Sequence, residues 1–180
     1  FGQTLGPVDV PAGDYQVRVT LAGTTTVVFD SGTLALDGGS DLLIAAVANT
    51  GAGAAPISLV VLDGTGSAEL RDVATPADVR VVHASPDAPA VDVVVNDDFP
   101  SPVISGLAYT QVAPAANAYL SVPPGSYNFK VTAAGNPGVI AIDFDADLAQ
   151  GAEYSVLATG LLLGTPAIDE LVLVDDNRSV

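Results

Sequence analysis

A repeat with an offset of 112 residues constrains this chain more than any other feature of its sequence. Residues 10–19, VPAGDYQVRV, align with residues 122–131, VPPGSYNFKV, and the alignment continues without a gap to LVVLD at 59–63 and LVLVD at 171–175. Many of the remaining positions exchange one aliphatic residue for another, which chance alignment does not produce. The sequence therefore predicts two copies of one domain.

Each copy has a turn followed by a strand. Pro124 and Gly125 have the spacing of a type II turn, in which glycine supplies a positive φ, and Gly13 suits the same path. After each turn, aromatic and aliphatic residues alternate with polar ones, beginning at Tyr15 and Tyr127. This period of two predicts strands with one packed face and one wet face. We expect the two glycines and the two tyrosines to have structural roles.

Further strands are predicted wherever short aliphatic runs lie between Gly, Pro and Asp residues. They are Thr26–Leu36, Asp41–Ala48, Ile57–Leu62, Val79–Ala84, Val91–Asn96, Val139–Leu148, Glu153–Thr159 and Glu170–Asp175. No segment has a convincing helical period. Short strands separated by turns are typical of sandwiches. We therefore predict an all-β fold of tandem antiparallel Ig-like β-sandwich domains, the first of which lacks its N-terminal strands.

The predicted organisation is an incomplete sandwich at 1–72, a linker at 73–78 and a complete sandwich at 79–180. Residues 76–112 have no counterparts in the first copy, because the offset places those counterparts ahead of residue 1. A sandwich without these strands has open edges and an uncovered core. Two explanations fit this pattern. The sequence is a piece of a longer repeat protein, or strands from a neighbouring chain complete the first domain.

The composition excludes several classes of site and partner. The chain has no Cys and one His, which leaves no thiolate chemistry and no imidazole cluster, and we expect no cofactor. Its formal net charge of -16 repels nucleic acid and anionic membranes. The longest apolar stretches, at 42–48 and 155–164, are too short to span a bilayer. We therefore expect neither nucleic-acid binding nor membrane insertion.

Residues 79–96, VRVVHASPDAPAVDVVVN, resemble the opening of the domain-of-unknown-function 4397 family. The V-P-x-G-x-Y segment of both copies and the ending LVLVDDN at 171–177 are also similar to that family's pattern. The resemblance implies β-sandwich modules, often in tandem, in secreted or cell-surface proteins. It brings no catalytic residues with it.

The polar residues of this opening invite a catalytic interpretation. His83, Ser85 and Asp87 lie close together where a strand meets a turn. A catalytic triad needs a buried orienting acid and an oxyanion hole, which such crowding does not provide. The segment fits a type I turn with Pro86 at its second position. We therefore predict structural roles for His83, Ser85, Pro86, Asp87 and Pro89.

Acidic segments raise the prospect of calcium binding. Asp143, Asp145 and Asp147 alternate along one predicted strand, and oxygen-rich turns lie at 63–66 and 175–177. The first copy has no acids at the positions that match the three aspartates, and neither turn has the spacing of an EF-hand loop. A solvated strand face and ordinary turns are the favoured interpretation, with calcium at these Asp-rich turns as the alternative.

These features predict a structural function. We expect a non-enzymatic, extracellular structural or adhesive repeat protein, and we consider a surface filament whose subunits are completed by strand exchange between chains. Its partners would be other copies of itself or adjacent repeats. The alternative is a surface module that binds a carbohydrate or small ligand through loops at one end of the sandwich. Aromatic residues clustered on those loops would favour this alternative, and the chain has 5 Tyr, 5 Phe and no Trp.

Overall fold

The computed structural model describes residues 2–115 and 118–175. Within these ranges the chain folds into β-strands, so the predicted all-β class is confirmed, and no helix there could cross a membrane. The chain divides into two compact units, Phe1–Val73 and Ala74–Val180, which we call unit 1 and unit 2.

Unit 1 contains five strands in two sheets. They are β1 (Gly13–Thr20), β2 (Val27–Leu36), β3 (Leu43–Ala48), β4 (Ile57–Leu62) and β5 (Ser67–Leu70). Strands β1 and β2 form an antiparallel pair, and β3, β4 and β5 form an antiparallel sheet in that order. Among the described residues of this unit, Phe29 and Leu59 are the buried hydrophobic side chains. The core of unit 1 is therefore small.

The described residues of unit 2 form nine strands in two sheets. They are β6 (Ala77–His83), β7 (Val91–Val95), β8 (Ile104–Leu107), β9 (Val112–Ala113), β10 (Leu120–Val122), β11 (Gly125–Ala133), β12 (Asn136–Leu148), β13 (Glu153–Thr159) and β14 (Asp169–Asp175). One sheet has the order β10-β6-β13-β14, with β9 also paired to β6, and the other has the order β12-β11-β7-β8. Strands β6 and β7, which open the unit, thus belong to different sheets.

The core of unit 2 is a hydrophobic cluster to which both sheets contribute. Its buried members are Ala77, Val79, Val81, Val91, Val93, Leu107, Phe129, Val131, Ile142, Leu148, Tyr154, Val156 and Ala158. The ring of Phe129 stacks on that of Phe144, with centroids 5.4 Å apart. Full burial of one such aliphatic or aromatic side chain contributes about 1.5–3 kcal/mol, so this cluster is the main source of stability in unit 2.

The structure differs from the sequence predictions in several local features. The short strands β5, β8, β9 and β10 were not predicted, and β6 and β13 are parallel rather than antiparallel. Gly13 and Gly125 each have φ of 152°, beyond the value near +80° of a type II turn, because each already pairs with a residue of the next strand. In the predicted linker, Thr75 is buried and Ala77 begins β6.

The offset of 112 residues recurs in the strand pairing of the two units. In β1 and β2, Gly13 pairs with Leu36, and in β11 and β12, Gly125 pairs with Leu148. Strands β3 and β13 also occupy matching positions, each paired antiparallel with the strand that follows it, but their registers differ by one residue: Leu43 pairs with Leu62, whereas Ser155 pairs with Leu173. We call residues separated by 112 positions counterparts.

Candidate functional site

The turn after β6 is organised around His83. The side chain of His83 is 0% exposed, and its Nε2 lies 2.9 Å from the carbonyl oxygen of Pro89. Its Nδ1 accepts a hydrogen bond of 3.3 Å from the Ser85 backbone N–H. This pattern assigns the proton to Nε2, because Nδ1 acts as the acceptor. Both ring nitrogens thus hold the turn at Pro86 and Asp87 in place.

Two aspartates of the same segment, Asp87 and Asp92, accept hydrogen bonds from other loops of unit 2. The Asp87 carboxylate accepts hydrogen bonds from the backbone N–H groups of Leu162 at 2.8 Å and Leu163 at 3.0 Å. These donors stabilise the charged form and lower the pKa of Asp87 below its ordinary value. The Ser85 hydroxyl lies 3.4 Å from Asp87, at the long end for a hydrogen bond. The turn is therefore tied to the loop that follows β13.

Asp92 is the second aspartate that binds loop backbone groups, and the sequence analysis did not single it out. Its Oδ1 accepts from the Gly106 N–H at 2.7 Å, and its Oδ2 accepts from the Gly135 N–H at 2.8 Å. Both donor glycines have positive φ, at 66° and 71°. The signal available in the sequence was the position of Asp92 between the buried Val91 and Val93, where a polar residue must face outward.

The tyrosines of the repeat occupy the same local structure in both units. The Tyr15 hydroxyl donates to the Pro11 carbonyl at 2.6 Å, and the Tyr127 hydroxyl donates to the Pro123 carbonyl at 2.7 Å. A tyrosine that bonds back to the backbone a few residues upstream is similar to the tyrosine corner of immunoglobulin-type sandwiches. The turn before each strand is thus closed by a side chain rather than by glycine geometry alone.

A polar network on the β6–β13–β14 sheet was also missed by the sequence analysis. The Asp175 carboxylate accepts from Ser155 at 2.6 Å, from Tyr119 at 2.7 Å and from Arg80 at 3.1 Å, and the Arg80 guanidinium lies 4.9 Å from the centre of the Tyr119 ring. Burial acts to raise the pKa of Asp175, but these hydrogen bonds and the Arg80 charge outweigh it and leave the pKa lowered. The partners are distant in sequence, so no local motif reveals them.

The acidic segments considered for calcium are engaged within the protein. Asp63 accepts from the backbone N–H groups of Thr65 and Gly66, at 2.8 and 2.7 Å, in a short turn. Among the aspartates of β12, Asp143 lies 3.5 Å from Lys130, and the others contact polar side chains of β11. In the described ranges no cluster of three or more acids or histidines could hold a metal. Asp176 and Asn177 lie outside those ranges.

Backbone edges of unit 1 are available for an external interaction. In unit 2, β6 lies between β10 and β13, and β7 pairs with β11. The counterparts of those neighbours in unit 1 are residues 8–10, β3 and β1. Within the described part of unit 1, none of the three has a strand on the side where β6 or β7 would lie. We call residues 8–10, β1 and β3 the open edges.

Side-chain exposure at the open edges matches this difference in pairing. Leu43 in β3 is 62% exposed, whereas its counterpart Ser155 is 4% exposed. Ile44 is 40% exposed, whereas its counterpart Val156 is 9% exposed. Val8, in the segment that corresponds to β10, is 69% exposed. The counterparts of Leu43 and Ile44 are therefore buried in unit 2, whereas both aliphatic side chains are in contact with solvent in unit 1.

Comparison with known proteins gives a family match for unit 2. No curated protein matches the chain. Residues 77–180, which are more than half of the chain, match the family described as domain of unknown function (DUF4397). The match begins at the first residue of β6 and takes in the His83 turn and every strand of unit 2. The chain therefore belongs to the DUF4397 family.

Proposed function

We propose that this protein is a non-enzymatic, extracellular structural or adhesive repeat protein whose units are joined by exchange of β-strands. The two units act as copies of one Ig-like module, and unit 1 is the acceptor in the joint. The observation that carries the proposal is the set of open edges in unit 1, with aliphatic side chains exposed where unit 2 buries them. Exposed strand edges pair readily with other polypeptides.

The chemistry of unit 2 supports a structural interpretation of the family's polar motif. His83, Ser85, Asp87 and Asp92 all direct their polar atoms at backbone groups or at one another. Residues that act on a substrate have to present a polar atom to a cleft. Each of these four instead fixes a loop of the sandwich, which suits a module selected for rigidity.

An extracellular location is part of the proposal, and composition supports it. The chain carries 21 acidic and 5 basic residues and no Cys. A strongly acidic surface suits salty or calcium-containing surroundings, and a net charge far from zero favours solubility.

Light scattering after size-exclusion chromatography, with negative-stain microscopy, tests the proposed assembly. We expect the chain to form concentration-dependent dimers or polymers through the open edges. The variant Ile44→Asp should remain monomeric, because it places a carboxylate among the exposed aliphatic residues of β3. The matched variant Val174→Asp alters an exposed aliphatic residue of β14 in unit 2 and should assemble normally. A wild-type chain that stays monomeric at all concentrations would contradict the assembly.

Binding of a small ligand is the second candidate, and one cavity favours it. A cavity of about 180 Å³ lies inside unit 2 and is lined by Val79, Val81, Val93, Val95, Val103, Ile104, Leu120, Val122, Pro123, Tyr127, Phe129 and Leu148. This lining suits a small apolar molecule and not a carbohydrate. Engineered apolar cavities of about 150 Å³ bind benzene. An open polar hollow in unit 1, at Ala35–Leu42 and Asp63, has no aromatic residue among its described lining.

Titration with benzene, followed by NMR of backbone amides, tests the second candidate. Saturable shifts confined to residues around the cavity would support it. Val81→Phe should abolish them by filling the space, whereas Val139→Phe, at an exposed position of β12, should leave them unchanged. Absence of saturable shifts in the wild-type chain would remove this candidate.

A further inference from the structure

We propose that the open edges of unit 1 accept a polypeptide segment from outside residues 1–180 with the sequence pattern of Ala77–Val95, the opening strand pair of a domain of this same family. The inference rests on the proposed function and names the partner of the proposed joint. Unit 2 carries the argument, because it presents the same edges with the segment in place.

The offset of 112 residues indicates where the first incoming strand would pair. In unit 2, β6 runs antiparallel to β10, with Val79 opposite Leu120, and parallel to β13, with Val81 beside Val156. Transferred to unit 1, the equivalent of Val79 lies opposite Val8, and the equivalent of Val81 lies beside Ile44. The incoming strand would thus fill the space between residues 8–10 and β3.

The second incoming strand has an equally defined place. In unit 2, β7 runs antiparallel to β11, with Val93 opposite Val131 and Val95 opposite Phe129. The counterparts of Val131 and Phe129 are Val19 and Val17, whose side chains are half-buried on the packed face of β1. An incoming strand with the pattern of β7 would pair with β1 and cover these side chains.

The spacing of apolar residues in the two incoming strands follows from the faces of unit 1 that these strands must cover. Along β6, alternate residues from Ala77 to His83 are buried, and β7 buries Val91 and Val93. The two strands lie in different sheets and are joined by the His83 turn. In unit 1 the open edges are likewise divided between the β1–β2 sheet and the β3–β4–β5 sheet. One edge strand of a second copy could satisfy only one of these sheets, whereas a joined β6–β7 pair satisfies both.

Hydrogen exchange with a synthetic peptide is the test. The peptide has the sequence of residues 77–96 and is added to the full 180-residue chain at concentrations where light scattering gives a monomer. We expect amide exchange at residues 8–10, 17–21 and 41–46 to slow by about tenfold or more, because pairing protects exposed backbone groups. A control peptide with Asp at the positions of Val79, Val81 and Val93 should have no effect.

Variants of the chain sharpen the test. Ile44→Asp should abolish peptide uptake, and because Ile44 is already 40% exposed, the substitution should leave exchange elsewhere in the chain unchanged. Val174→Asp should take up the peptide like the wild-type chain. A chain with a second copy of residues 77–112 joined ahead of residue 1 should show the protection without any peptide, which avoids dependence on peptide solubility.

The outcomes separate this inference from the proposed function. Protection by the peptide or by the joined copy supports the inference, even in a chain that never self-associates. A chain that assembles but gains protection from neither would overturn the inference and leave the proposed assembly standing. Dimers in which β11 and β13 lose protection would mean that unit 2 donates its own β6 and β7, and this too would overturn the assignment to a segment from outside residues 1–180.

Discussion

Units 1 and 2 share antiparallel strand pairs at matching positions and turn tyrosines, yet they differ in how much hydrophobic surface they bury. The clearest comparison is between β3 and β13, which occupy matching positions and each pair with the following strand. β13 also pairs with β6 and is mostly buried, whereas β3 is mostly exposed. The difference indicates that a strand of this fold is buried when it pairs with a neighbour on each side, and that its own hydrophobicity is not sufficient.

The largest expected effect comes from removing the side chain of His83, which holds the turn between β6 and β7. His83 has no counterpart in unit 1, and it is fully buried with both ring nitrogens bonded. We expect His83→Ala to destabilise unit 2 by about 3 kcal/mol, from the cavity and the lost hydrogen bonds. Chemical denaturation measures this loss of stability, and hydrogen exchange of the β11 and β13 amides gives a local readout. A loss below about 0.5 kcal/mol in the free energy of unfolding would mean that the His83 turn contributes little to the stability of unit 2.

Matched valines sharpen the comparison at a single position. Val131 is buried between the sheets of unit 2, and its counterpart Val19 is half-buried in β1. We expect Val131→Ala to cost about 2 kcal/mol and Val19→Ala less than about 1 kcal/mol, because a cavity forms only where neighbours enclose the side chain. Denaturation of both variants in parallel gives the two values. Equal costs would show that unit 1 is as well packed as unit 2.

Asp175 provides a test that depends on pH. Its pKa in the folded chain is lowered from 3.8, so its carboxylate stabilises unit 2 above pH 3.8, and that contribution is lost as the pH falls through the lower folded value. We expect Asp175→Asn to cost about 1–2 kcal/mol at pH 7 and to flatten the loss of stability below about pH 4. Urea denaturation from pH 2 to pH 7 follows both effects. An unchanged acid profile would remove Asp175 as a cause.

The smallest expected effect tests what the two units have in common. Tyr15→Phe and Tyr127→Phe each delete one hydroxyl that donates to a proline carbonyl four residues upstream. We expect each substitution to cost about 0.5–1 kcal/mol, because one neutral hydrogen bond is lost near the surface. Thermal denaturation of the pair gives the comparison. A cost for one tyrosine and none for the other would show that the shared turn has different roles in the two units.

Patterns confined to one strand or turn could be predicted from the sequence. The strands that start near Tyr15 and Tyr127 followed from a period of two, and the bounds of β4 and β13 followed from short aliphatic runs between turn residues. Strands such as β9 and β10 have two and three residues, too few for a period, and they exist because β6 offers them a partner. The parallel pairing of β6 with β13 likewise depends on tertiary placement that no local pattern encodes.

The contacts of the candidate site likewise differ in whether the sequence could predict them. A turn at Pro86 and the structural use of His83 could be inferred from residues that lie close in sequence. The partners of Asp175, namely Arg80, Tyr119 and Ser155, come from three separate segments, so their meeting could not be read from spacing. The missing neighbours of the open edges could be anticipated from the repeat, because the offset itself shows which strands have no counterpart.

Hydrogen exchange of the unmodified chain tests the central claim most directly. At a concentration where light scattering gives a monomer, the amides of β3 should exchange at least about 100-fold faster than those of β13, since open strands lack the protection of a second neighbour. The free side of β1 should likewise exchange faster than the β7-facing side of β11. Equal protection of β3 and β13 in the monomer would contradict the account, because unit 1 would then be complete without another strand.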